Sequence, residues 1–157
     1  MNMSMRHRAV AGAMAGAVLL SMVACGTDAK EPSATALIQA IEANTERSVT
    51  LGSVYGADTT FDRAVSLCPY MSAEEVEGAL GFAWKGASRL ALEDESKGNI
   101  LLVQGNRVNA MVPLVRTEVD LCTAPAETLR VISPGQSLKF VRGEEAIGVA
   151  GWTLQHG

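Results

Sequence analysis

Three cysteines, two histidines and two acidic clusters are the residues whose types could carry chemistry, and their spacing narrows what that chemistry is. Cys25, Cys68 and Cys122 stand far apart, so they form no CxxC pair for zinc, and neither an HExxH helix nor a Gly-rich phosphate loop accompanies them. His7 and His156 lie at opposite ends of the chain, which makes a His-based triad or a His-rich metal site hard to assemble. The acids gather in Glu74, Glu75 and Glu77 and in Glu93-Asp94-Glu95. Neither group has the ligand spacing of an EF-hand loop, whereas both suit a helix start or a solvated turn. No metal and no cofactor is therefore expected. A carboxylate pair for glycoside hydrolysis would depend on a separation that only the fold sets.

The chain of 157 residues carries 13 Lys and Arg against 17 Asp and Glu, a formal charge of −4, and is 48% hydrophobic. That length holds one ordinary domain. With no basic block to neutralise phosphates, nucleic acid is not expected as a partner. Composition changes at the N-terminus, where Met1 to Arg8 has Arg6 and Arg8 but no acid, and Ala9 to Val23 is apolar. This is the order of a signal peptide, and the apolar run is shorter than the roughly 20 residues of a membrane span. Small residues precede Cys25, and the polar run Gly26 to Pro32 follows it.

Met22-Val23-Ala24-Cys25 resembles the lipobox of bacterial lipoproteins, with Met22 where that family usually has Leu. The resemblance implies cleavage after Ala24 and a diacylglycerol on the Cys25 thiol. The expected organisation is a signal peptide over 1–24, a lipidated tether over 25–33 and a single domain over 34–157. Losing residues 1–24 removes Arg6 and Arg8 and no acid, so the mature protein has 11 basic and 17 acidic residues and a charge of −6. Anionic headgroups repel such a domain, which leaves the acyl chains as its hold on the membrane. The location implied is extracytoplasmic, on the cell membrane, or on the outer membrane of a Gram-negative host, since Gly26 rather than Asp follows the cysteine. Cys68 and Cys122 then remain as an even pair in an oxidising compartment, and a disulfide between them is expected.

Ser33 precedes a helical pattern over Ala34 to Asn44, with Leu37, Ile38 and Ile41 as its apolar stripe. Thr60 to Leu67 reads as a strand that runs into Cys68-Pro69-Tyr70. A second helix starts at Ser72, with Glu75 completing a capping box, Met71 and Val76 forming a staple, and Gly81 ending it. Beyond Ser88 the pattern changes to strands and turns. Arg89 to Leu92 leads into the acidic turn Glu93 to Gly98, and Asn99 to Gln104 and Arg107 to Val115 flank Gly105-Asn106 as a II′ hairpin. Further strands are expected over Thr128 to Ile132, Ser137 to Val141 and Val149 to Leu154. The fold class is α+β, an antiparallel β-sheet with two N-terminal helices packed on one face and one disulfide.

Cys68-Pro69-Tyr70 also resembles the first three residues of the glutaredoxin site, and Val112-Pro113 the cis-proline loop of thioredoxin-like folds, although Met71 replaces the second cysteine. That resemblance implies a thiol-redox enzyme using Cys68. Met71 to Gly81, followed by Trp84, is similar to a helix in small accessory lipoproteins of outer-membrane protein assembly and in uncharacterised small actinobacterial lipoproteins. The reading that these features support together is a non-enzymatic, lipid-anchored envelope protein that binds another envelope component. The alternatives are the redox enzyme and a carrier of a small apolar ligand held between helices and sheet.

Overall fold

The computed structural model describes residues 32–90, 92–122, 130–143 and 151–155. Cys25, His7, His156 and the strand expected from Thr128 onward lie wholly or partly outside the described residues. The described elements are helices α1 (Ala34–Ala43), α2 (Leu51–Tyr55) and α3 (Ala73–Leu80), with a 3-10 turn over Lys85–Arg89. The strands are β1 (Ser48–Val49), β2 (Arg63–Leu67), β3 (Lys97–Gln104), β4 (Arg107–Val115), β5 (Val119–Asp120), β6 (Val131–Ile132), β7 (Leu138–Arg142) and β8 (Trp152–Leu154).

The fold is α+β with mainly antiparallel strands and the Cys68–Cys122 disulfide. The described strands divide into two sheets, in the orders β4-β3-β2-β6 and β1-β7-β8-β5, and among them only β5 with β8 runs parallel. Alternation along β2 and β3 sends Ala64, Ile100 and Leu102 to one face and Val65, Leu101 and Val103 to the other. The first set joins Leu37 and Ile41 of α1, Leu51 and Tyr55 of α2, and Phe140 and Leu154 of the second sheet in the larger core. The second set lies against Val76 and Leu80 of α3 and Met71. The two expected helices thus serve different faces of β2 and β3. Burial on both faces explains why β3 reads as a continuous apolar run and not an alternating one.

Local chemistry fixes the element ends. The Ser72 hydroxyl accepts from the Glu75 N–H, and the Glu75 carboxylate accepts from the Ser72 N–H, which closes the expected capping box. Gly81 ends α3 at φ +78°, where its N–H donates to Glu77 O. Gly105 takes φ +56°, as the first central residue of a II′ turn requires. The Arg63 guanidinium donates to Gly105 O and to Leu80 O, tying this hairpin tip to the last turn of α3.

Two segments differ from the sequence reading. Leu90 and Leu92 are not part of a strand, because the 3-10 turn runs to Arg89 and both side chains pack against the α3 cluster. α2 has poor intrinsic propensity, with Gly52 and Val54 among its five residues, and forms through tertiary contact. The Gly52 N–H donates to Pro134 O at 2.8 Å, an approach so close that a Cβ at Gly52 would lie 2.9 Å from that oxygen.

Candidate functional site

Cys68, Cys122 and Glu95, all selected from the sequence, meet at one corner, where β2 ends, the turn before β3 begins and the strand after β4 passes. Cys68 leaves β2 and bonds Cys122, with their Cα atoms 5.6 Å apart, inside the usual range for a disulfide. The Cys122 N–H donates to Asp120 Oδ1 at 2.8 Å. Asp120 is only 5% exposed, and a buried carboxylate needs a close cation and full hydrogen bonding. Arg116 supplies both, its Nε 3.1 Å from Oδ1 and its Nη2 2.9 Å from Oδ2, in a two-pronged pairing. The third guanidinium nitrogen donates to Glu95 O at 2.9 Å, and the Glu95 carboxylate accepts the hydroxyl of Tyr70.

These contacts close a ring from Cys68 through Tyr70, Glu95, Arg116, Asp120 and Cys122 back to Cys68. Inside it, the Tyr70 N–H donates to Leu92 O at 2.6 Å and the Cys68 N–H donates to Met71 Sδ at 3.3 Å. Met71 turns into the α3 cluster while Tyr70 turns out. Tyr70 holds φ +64°, a conformation that costs a bulky side chain energy and persists only where surrounding structure enforces it. It is also 65% exposed, the most of any large apolar side chain among the described residues. The hydrogen bond to Glu95 raises its phenol above the ordinary value of 10.0, so the ring stays neutral at physiological pH.

Beside Tyr70 is an open groove of about 710 Å³ lined by Met71, Leu90 and Leu92, with Glu93 and Asp94 at its rim. Asp94 accepts from the Ser96 hydroxyl and N–H and from Lys97, contacts that hold its carboxyl below the ordinary 3.8. The other acidic group is structural in part, because Glu75 caps α3 and pairs with Arg130 at 3.2 Å. Hydrogen bonds from the Ser72 backbone and side chain, then Arg130, hold Glu75 below the ordinary 4.5. Glu74 and Glu77 are exposed on the same helix.

Two other surfaces bring polar groups together. An open groove of about 930 Å³ runs between Pro32, Ser33 and the edge strand β4, with Asp58, Arg107, Asn109 and Met111 in its walls. The Trp152 ring lies beneath two guanidiniums, Arg47 at 5.2 Å and Arg142 at 5.3 Å from its centroid. Arg47 is committed there, since it also caps the α1 terminus by donating to Ile41 O and Glu42 O. Among the described residues, no group of three His, Cys, Asp or Glu side chains is placed to hold a metal ion. No described helix is long and apolar enough to cross a membrane.

The glutaredoxin-like geometry is not reproduced around Cys68. Its sulfur is bonded to Cys122, Pro69, Tyr70 and Met71 separate it from the N-cap Ser72, and Val112-Pro113 is trans within β4. Sequence reasoning missed Arg116 and Asp120, and it took Tyr70 only as part of a cysteine motif. Compared with known protein families, curated proteins and solved structures, the chain matches none of them.

Proposed function

We propose that the protein is a lipid-anchored, non-enzymatic binding module of the cell envelope, tethered through Cys25 and recognising another envelope protein through the Tyr70 corner. The observation that carries the recognition surface is a tyrosine at φ +64° and 65% exposure, held there by a disulfide, a buried ion pair and its own hydroxyl. A rigid amphipathic ring in the open is costly to maintain and well suited to an interface, where tyrosine concentrates binding energy. The lipobox and the acidic mature domain support the anchor, because acyl chains hold a surface that headgroups repel. With the Cys68 sulfur engaged by Cys122, the corner serves as a brace and a nucleophile is not required of it.

Two experiments test the two halves. Cys25→Ala should move the protein from membranes to the soluble fraction and abolish acyl labelling; unchanged membrane retention would overturn the anchor. A photoreactive phenylalanine in place of Tyr70 should trap a discrete adduct in intact cells. Absence of any adduct at that position would overturn the recognition surface.

A further inference from the structure

Resting on the reading that Tyr70 marks the recognition surface, we infer that the groove beside it takes a lysine- or arginine-bearing peptide segment. A cationic side chain of this kind has two parts, an aliphatic stem and a charged head, and each finds a counterpart here. Met71, Leu90 and Leu92 offer an apolar floor for the stem. The Tyr70 ring forms one wall, and a cation over a tyrosine face is attracted by the ring quadrupole. Glu93 and Asp94 stand at the rim to receive the head.

The charges favour this occupant over an acidic or neutral one. Among the described residues, Glu93 has no side-chain ion pair or hydrogen bond, so its carboxylate is available. Glu95, adjacent, keeps its carboxylate on the Tyr70 hydroxyl. Arg116 is bound to Asp120, and Lys97, 3.3 Å from Asp94 Oδ2 and 53% exposed, is an internal competitor for the rim. The excess of acidic over basic residues, a formal charge of −4 for the full chain, adds a long-range attraction for a basic partner. The geometry thus contains its own control, because a variant at Lys97 frees a carboxylate without touching the floor or the ring.

The test is a titration of the purified full-length protein, followed by backbone amide NMR, with three blocked pentapeptides that alternate leucine with lysine, glutamine or glutamate. The lysine peptide should shift the amides of Tyr70, Leu92 and Glu93, and its affinity should fall with added salt. Tyr70→Leu should weaken it about tenfold and Tyr70→Phe much less, since the ring remains. Glu93→Gln should weaken it about threefold, and Lys97→Ala should tighten it by a similar factor. Equal binding of the glutamine or glutamate peptide at the same amides would overturn the cationic preference while leaving Tyr70 as a recognition surface. Shifts mapping elsewhere, no binding of the lysine peptide, or an unchanged affinity in Lys97→Ala would overturn the inference outright. Loss of the cellular adduct at position 70 is the separate failure of the reading beneath it.

Discussion

The two faces of β2 and β3 are held by different means. On the inner face, α1, α2 and the second sheet bury Leu37, Ile41, Leu102, Phe140 and Leu154 in a core drawn from the whole chain. On the outer face, α3 and Met71 cover a smaller cluster around Val65, Leu101 and Val103. That side is supplemented by the Cys68–Cys122 bond, the Ser72–Glu75 capping box, the Arg130–Glu75 pair and the Arg63 bridge to Leu80 O. Where apolar area is limited, covalent and polar braces take over the positioning, and the exposed Tyr70 sits on the braced side. The larger apolar core thus lies on one side of these strands and the braces, with the exposed Tyr70, on the other.

The largest effect expected is on the inner face, where Phe140→Ala should destabilise the fold by about 4 kcal/mol through lost burial and a residual cavity. Urea unfolding would measure it. Replacing both Cys68 and Cys122 with Ala should cost at most a similar amount, with about 4 kcal/mol as the upper value of the chain-entropy model for a separation of 54 residues. It should also differ in kind, raising hydrogen exchange around Tyr70 and Leu92 more than around Phe140. Arg116→Ala comes next, at about 3 kcal/mol, because Asp120 is left buried without its cation while Arg116 itself is 29% exposed. Ser72→Ala removes one cap and should cost about 1 kcal/mol, confined to α3.

The smallest expected change is a pH dependence on the braced side. Glu75 and Asp94 are held below their ordinary values of 4.5 and 3.8, so they bind protons less readily when folded than when unfolded. Their contribution is complete above those ordinary values and disappears as pH falls through the depressed ones. Acid titration should therefore loosen α3 and the turn before β3 ahead of the inner core. Glu75 is exposed and Asp94 partly so, and the effect should be modest and reduced by salt.

How much of this was legible in the sequence follows from the range of the interactions. The capping box at Ser72 and Glu75, the αL end at Gly81 and the II′ turn at Gly105 are set by neighbours in the chain, and each forms where its residues indicate. The disulfide was readable from Cys68 and Cys122 as an even pair, the pairing expected of a chain read as exported. The division into two sheets was not, because β5 pairs in parallel with β8 across a long separation and β1 with β7. Nor was the apolar run at Leu90 and Leu92 distinguishable from a strand until α3 was placed over it. At the site, Cys68 and Cys122 were visible by type, whereas the ring through Glu95, Arg116 and Asp120 joins residues that no local pattern connects. Tyr70 had a signal of a kind, a residue between proline and a buried methionine before an N-cap, but no local pattern marked its positive φ.

The most direct test of the central claim compares the two exposed regions in one experiment, with a photoreactive phenylalanine placed at Tyr70 or at Met111, which is 38% exposed in the groove beside Pro32. In intact cells, position 70 should give a discrete adduct that disappears in the Cys68→Ala, Cys122→Ala background, and position 111 should give none. An adduct at position 111 with none at position 70 would contradict the account.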